Sequence, residues 1–256
     1  MKRYDIIVIG AGVAGMVAAI YALRAEKKVL VLESQMEGGQ IVNSSKIENW
    51  PGDLGISGVE LTQKIKKHAE ALGAELDYIE VEKIEEAREV WVVVGDGGEK
   101  FEARSIILAM GTEPRKMSAK QTADAGGRAI SYCATCDGAL YKGKPVVVVG
   151  SGNTAKHEIA YLEKIASKVY HIHHDDPIPK DAEAVFVAIG RVPKTRFCRG
   201  LVEMDENGYI VADEDCATSV PGIFVAGDCR TKNLRQLITA ASDGATAAMG
   251  AVKFLQ

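Results

Sequence analysis

The sequence predicts an α/β protein of two parallel-sheet domains, the first interrupted by the second. Three observations carry that prediction. A β-branched apolar run enters a glycine-rich turn and then a helix over residues 5–25. The same order recurs over residues 145–165. Strand and helix patterns alternate through the remaining chain, as α/β folds require.

Asp5-Ile6-Ile7-Val8-Ile9 reads as a buried parallel strand running into Gly10-Ala11-Gly12-Val13-Ala14-Gly15, with a helical pattern over 13–25. In that setting the first glycine allows the tight turn, the second lets a pyrophosphate reach the backbone, and the third lets helix pack on strand. The helix N-terminus then faces the anion. A second strand, Val29-Leu30-Val31-Leu32, ends at Glu33, roughly 20 residues past the turn, where a carboxylate suits a ribose hydroxyl. Together these make a Rossmann-like dinucleotide fingerprint. Residues 58–72 read as helix, 75–85 and 89–94 as strands, and 105–109 as a buried strand, so a β-ribbon is inserted in this unit. Gly95-Asp96-Gly97-Gly98 forms its hairpin turn.

Gly111-Thr112-Glu113-Pro114 reads as the hinge out of the first domain, with a return near 190–193. Residues 1–113 and 191–256 therefore form one discontinuous domain, and 114–190 the inserted one. The insert repeats the fingerprint at Gly150-Ser151-Gly152-Asn153-Thr154-Ala155, with Ala155 for the third glycine. Its next strand, 168–172, ends in His173-His174-Asp175-Asp176, where an NADP 2′-phosphate would want arginine. At 77 residues the insert is short against the ~100–150 of a common domain. The chain passes from that strand through Pro177-Ile178-Pro179 almost directly into a strand over 184–189. This second turn is read as a support for helix packing, without a working nicotinamide site.

Cys133-Ala134-Thr135-Cys136-Asp137 suits reversible dithiol–disulfide chemistry, because local charges and dipoles draw one thiol of such a pair from about 8.5 toward roughly 7. Asp137 is placed to handle the proton. The alternatives are half of a structural zinc site or an inert pair, but Cys198, Cys216 and Cys229 are singletons with no second close pair to complete a tetrahedron. The three singletons read as packing residues. No metal site is expected.

With 256 residues, 47% of them hydrophobic and 26% charged, the chain can bury two modest cores. Its net charge of −4 argues against nucleic acid as partner. No apolar run approaches a membrane span, and the first strand begins too early for a secretory leader, so a reducing, cytoplasmic setting is expected. In that compartment a lone close cysteine pair is catalytic more readily than structural.

Taken with Gly38-Gly39-Gln40, Glu48-Asn49-Trp50-Pro51-Gly52, Thr218-Ser219-Val220-Pro221-Gly222-Ile223-Phe224-Val225-Ala226-Gly227-Asp228 and Arg235-Gln236 through Asp243-Gly244, these motifs make the chain resemble the low-molecular-weight thioredoxin reductases. In that family an FAD domain is interrupted by a nicotinamide-binding domain that carries the dithiol. The resemblance implies that Gly10, Gly12, Ala14, Gly15 and Glu33 hold the adenosine half of FAD, with Gly39, Gln40 and Asn49 near the ribityl chain and flavin. It implies that Gly227 and Asp228 reach the ribityl hydroxyls, that Arg235 and Gln236 close over the ring, and that Val81 and Gly111 line the cofactor. Read alone, Asp228 is equally a helix cap, and Gln40 and Asn49 are ordinary loop residues. By the same resemblance Cys136 lies nearer the flavin, Cys133 attacks thioredoxin or a thioredoxin-like protein, Asp137 is the acid/base, and the chain is a homodimer.

His174 and Asp175 stand where the family carries arginine, and the downstream basic residue has gone with the shortening. The expected donor is therefore ferredoxin, as in an NADPH-independent branch of the family. NADH or NADPH is the competing donor, and Asp175-Asp176 suits an unphosphorylated ribose. A flavin-binding redox sensor without turnover is the third reading. Lys64, Lys66 and Lys67, or Arg191, Lys194, Arg196 and Arg199, are candidate docking residues for an acidic ferredoxin.

Overall fold

The computed structural model describes residues 2–173 and 176–256. The chain forms two compact units, 1–112 with 193–256, and 113–192.

Unit 1 begins with β1 (Lys2–Ile9), α1 (Val13–Arg24) and β2 (Val29–Glu33), then α2 (Gly58–Ala71), β3 (Glu75–Tyr78), β4 (Val81–Ala87), β5 (Val90–Gly95) and β6 (Lys100–Leu108). α2 starts at Ser57, whose hydroxyl accepts from the Glu60 N–H while Glu60 reaches back, a capping box worth about 1 kcal/mol. The chain leaves and returns through β7 (Thr112–Pro114) and, later, β12 (Arg191–Pro193), which pair as a two-stranded ribbon. Unit 2 holds α3 (Ala119–Asp124), β8 (Ala129–Ser131), α4 (Ala134–Asp137), β9 (Pro145–Val149), α5 (Asn153–Leu162), β10 (Lys168–Ile172) and β11 (Ala184–Val187). Unit 1 closes with β13 (Ile223–Val225) and α6 (Leu237–Phe254).

The unit 1 sheet runs β3-β2-β1-β6-β5-β4, with β13 also on β6. β6 is long enough to serve two neighbours on one side: its first half pairs antiparallel with β5, its last residues parallel with β13. Alternation along β1 sends Ile6 and Val8 into one buried layer with α1 and α6, and Ile7 and Ile9 into another beneath Trp91 and Phe101 of the ribbon. Both faces are covered, so the strand is apolar without a break.

Unit 2 repeats the centre of this sheet. Its order, β10-β9-β11-β8, is all parallel and matches β2-β1-β6-β13 position for position. Counterparts of α2, β3, β4 and β5 are absent among the described residues. β2, flanked by β3, is buried along most of its length, whereas its counterpart β10 is a half-exposed sheet edge.

The run 75–85, expected as one strand, divides at Ile79-Glu80. The Ile79 N–H donates to Glu33 O on the parallel side, while Glu80 O accepts from Asp96 N on the ribbon side, and one straight strand cannot serve both. The helix expected to reach 165 ends at Leu162, and the strand expected to reach 189 ends at Val187. α6, which the periodicity reading passed over, lies along α1. A Cβ at Gly244 would sit 2.2 Å from Ala14 O, so this contact needs a residue without one. Gly244→Ala is expected to push the helices apart at a cost of about 1–3 kcal/mol, read as a fall of several degrees in the thermal melting of unit 1; an unchanged melt would contradict the packing.

Candidate functional site

In unit 1 the strand-to-helix turn is built by Gly10, whose φ of +106° and whose approach to the Ala109 carbonyl exclude a side chain, a Cβ falling 2.4 Å from that oxygen. Gly12 then caps α1 with no side-chain hydrogen bond and nothing within 4 Å of where a Cβ would stand. The first N–H groups of α1 are thus left open to an anion. A Cβ at Gly15 would lie 1.8 Å from Gly10 O, which is why helix and turn close this tightly.

Glu33, at the end of β2, accepts from the Ala11 N–H at 2.8 Å through one oxygen and from the Ser34 N–H at 2.9 Å through the other. It stands beside the turn, half-buried. Gly38 bridges Gly12, and Gly39 opens a short 3₁₀ turn that presents Gln40, whose amide donates to Thr112 Oγ1 at 2.9 Å. Asn49 donates to Gln236 Oε1 at 2.9 Å. Arg235 lies over the Tyr209 ring, 4.2 Å from its centroid, and donates to the carbonyls of Asp228 and Arg230. Val81 opens β4 opposite Gly95 and is buried in the ribbon layer, and Gly111 accepts from the Lys194 N–H.

The Gly227-Asp228-Cys229 turn is held by a residue to which the sequence reading gave no role. Asp243 of α6 accepts from the Gly227 N–H at 3.0 Å and pairs with Arg230 at 3.2 Å and Lys232 at 2.7 Å, all three side chains largely buried. Losing one partner of such a buried cluster costs about 3–5 kcal/mol, against about 0–1 for an exposed pair. This cluster therefore fixes the turn, whereas the exposed Lys46–Glu48 pair contributes little. Ala14 meets Gly227 directly, a Cβ there falling 2.9 Å from the Ala14 methyl. The open helix start, the anchored Glu33 and the fixed turn at Asp228 form an arrangement that a flavin dinucleotide fits.

In unit 2 Cys133 and Cys136 are joined as a disulfide, Cys133 capping α4 and Cys136 within it. Ser131 of β8, also missed from sequence, ties the pair to Asp137: its hydroxyl accepts from the Cys133 N–H at 3.1 Å and donates to Asp137 Oδ2 at 2.7 Å. Glu158 of α5 is half-buried, and its Oε2 is buried without a hydrogen-bond partner. Burial pushes this carboxyl up to about 7, the nearby Ala134 backbone acting against the shift.

The second glycine turn keeps the backbone of the first. Gly150 has φ +138° and lies against the Ala188 carbonyl, as Gly10 does against Ala109, and Gly152 caps α5 with nothing near its Cβ position. By register His173 stands where Glu33 stands in unit 1. His174 and Asp175 lie outside the described residues.

Cys198, Cys216 and Cys229 are buried, and burial raises all three thiols, Cys216 and Cys229 to about 11. Among the described residues no three His, Cys, Asp or Glu are gathered as a metal site, and no helix is long and apolar enough to cross a membrane. Lys64 pairs with Asp53, and Lys66 with Glu37 and Glu70, so two of the three lysines in the first basic cluster are neutralised.

The chain matches the Pyridine nucleotide-disulphide oxidoreductase family over residues 4–181 and again over 175–244, the match breaking where the insert is short. It is 37% identical to a thioredoxin reductase of Listeria innocua, with 100% of this chain and 95% of that protein covered. That alignment runs over 303 positions against the 256 residues here, the excess being relative's sequence that faces a gap. Among solved structures, the Lactococcus lactis thioredoxin reductase in its FR conformation superposes with a TM-score of 0.87 at 32% identity, over 98% of this chain and 99% of that one. A ferredoxin-flavin thioredoxin reductase of Clostridium acetobutylicum gives 0.65 at 30% identity, over 100% and 98%. With an open glycine turn in one unit and a Cys-x-x-Cys disulfide in the other, the chain belongs to the pyridine nucleotide-disulphide oxidoreductases, in their thioredoxin reductase family.

Proposed function

We propose that this chain is an FAD-dependent thioredoxin reductase that reduces thioredoxin or a thioredoxin-like protein through Cys133 and Cys136, with ferredoxin rather than NADPH as electron donor. The observation that carries the choice of donor is the reduction of unit 2 to the strand order β10-β9-β11-β8, with His173 in the position of Glu33 and no arginine in the sequence between it and β11. The adenosine end of a nicotinamide dinucleotide is recognised just beyond that strand, and a 2′-phosphate there needs a cation. The existence of a ferredoxin-flavin thioredoxin reductase among the structural neighbours supports the same reading. A homodimer and a cytoplasmic setting belong to it.

In this reading Gly10, Gly12, Ala14, Gly15 and Glu33 hold the adenosine half of FAD, with Gly39, Gln40, Asn49, Val81 and Gly111 along its length. Gly227 and Asp228 take the ribityl hydroxyls, and Arg235 and Gln236 cover the ring. When bound, the flavin supplies a carrier that takes electrons singly or in pairs and passes on a pair. Two electrons and two protons open the Cys133–Cys136 disulfide into two thiols. Cys133, as thiolate, attacks the partner disulfide and its proton goes to Asp137; Cys136 then displaces the reduced partner and restores the disulfide. Ser131 holds Asp137 beside Cys133 for that transfer.

One observation favours a second donor. The Gly152 turn is as open as the Gly12 turn, so a pyrophosphate is not excluded, and NADH or NADPH is the competing reading. Anaerobic mixing decides: reduced ferredoxin is expected to bleach the flavin, and stoichiometric bleaching by NADPH or NADH within seconds would overturn the choice.

Cys136→Ser is expected to retain FAD yet abolish electron passage to the partner; undiminished thioredoxin reduction in that variant would refute the assigned roles. Ser131→Ala is expected to slow turnover by roughly ten- to a hundredfold through a misplaced Asp137, with flavin content unchanged. Steady-state kinetics with absorbance at the flavin band measure both.

A further inference from the structure

Lys66, which the sequence offers as a docking cation, is turned inward. On α2 it follows Thr62 by four residues, so the two share the face of the helix that lies against the loop from Glu33 to Gly38. Lys66 Nζ donates to Glu37 Oε1 at 2.7 Å, and the Tyr78 hydroxyl, from the end of β3, donates to Glu37 Oε2 at 2.8 Å. Each carboxylate oxygen is therefore taken by a different element. Glu37 is 8% exposed, whereas the acid of an ordinary surface pair such as Lys46–Glu48 stands in solvent. Thr62 closes on the next residue and leaves no room for a Cβ at Gly38.

The loop held in this way joins two parts of the nucleotide cradle. At its start Glu33 accepts the Ala11 N–H, and at its end the Gly38 N–H donates to the Ala11 carbonyl at 2.8 Å while Gly38 bridges Gly12. Tyr78 stands beside Glu33 in register, and the following Ile79 N–H donates to the Glu33 carbonyl. A displaced Glu37 is thus felt at both ends of the loop. We propose that Glu37, clamped by Lys66 and Tyr78, is a positioning residue for FAD, fixing the loop between the ribose acid Glu33 and the pyrophosphate turn at Gly12. This deepens the reading of unit 1 as the flavin domain and rests on it. The Lys66 ammonium holds the Glu37 carboxyl below the usual carboxylate range, desolvation acting against it, and Glu37 in turn raises the Tyr78 phenol. At neutral pH the acceptor is therefore charged and the phenol keeps the proton it donates. Hydrogen bonds to a charged acceptor are the stronger kind, and one lost where water barely reaches is poorly replaced.

The test is the affinity of the full chain, freed of flavin, for FAD, titrated by the quenching of flavin fluorescence. Glu37→Gln removes the charge and keeps one acceptor oxygen, and it is expected to weaken FAD binding about five- to thirtyfold. Tyr78→Phe removes one donor and keeps the ring, and is expected to weaken it about three- to tenfold. The double variant is expected to fall within about twofold of Glu37→Gln alone, because the two changes act through one carboxylate. Thermal melting of each flavin-free variant separates this from a role in the fold alone. Parental FAD affinity in Tyr78→Phe or Glu37→Gln, whatever the melt, would overturn the proposal, as would single effects that simply multiply in the double variant. Tyr78 is 53% exposed, so its variant folds and decides the matter even where Glu37→Gln does not. A parent chain that takes up no FAD would instead overturn the reading of unit 1 as a flavin domain.

Discussion

The close approach of a carbonyl to the turn before a helix is the constraint on which both units depend. At Gly10 it is the Ala109 carbonyl, at Gly150 the Ala188 carbonyl, and each leaves no room for a Cβ. The backbone at these glycines lies at positive φ, which L side chains rarely adopt. Because the turn is that tight, the helix begins directly over the strand end, and its unpaired N–H groups face outward from the C-terminal edge of the sheet. That edge is where parallel sheets bind nucleotides. In unit 1 every other part of the cradle is arranged around this geometry: Glu33 is anchored to the Ala11 amide, Gly38 bridges Gly12, and α6 brings Asp243 to the Gly227 turn.

The strand, turn and helix signals were legible because parallel strands buried on both faces leave unbroken β-branched runs, as at 5–9 and 145–149. The dithiol and the open glycine turns were legible for the same kind of reason, since their spacing is itself the chemistry. What could not be read is what depends on residues far apart in sequence. Ser131 is an unremarkable serine until β8 sets it beside Cys133 and Asp137. Asp243 sits in a run of alanine, serine and glycine with little amphipathic contrast, and only the packing of α6 on α1 and the Gly227 turn gives it a task.

The split of 75–85 is a case of one stretch of sequence serving the two opposite edges of one sheet. Strand-favouring residues stand on both sides of Ile79-Glu80, Tyr78 before it and Val81 and Ile84 after, yet parallel pairing with β2 and antiparallel pairing with β5 impose different directions. Local preference names the state of such residues without fixing their partners.

The half-exposed β10 carries one more consequence. The strands that unit 2 lacks relative to unit 1, among the described residues, lie at the margins of the sheet, and the β9 and β11 layers stay closed around Val147, Val148 and Phe186. A margin tolerates trimming where a centre would not, because only one ladder of hydrogen bonds is forfeited and water can replace it. The open rim then carries a charged Lys168 at its start, a device that discourages stray strands from annealing there. That rim lies at one edge of the sheet and β8, which leads into the Cys133–Cys136 turn, at the other, so a change of length beyond β10 leaves the sulfur pair's own strand undisturbed.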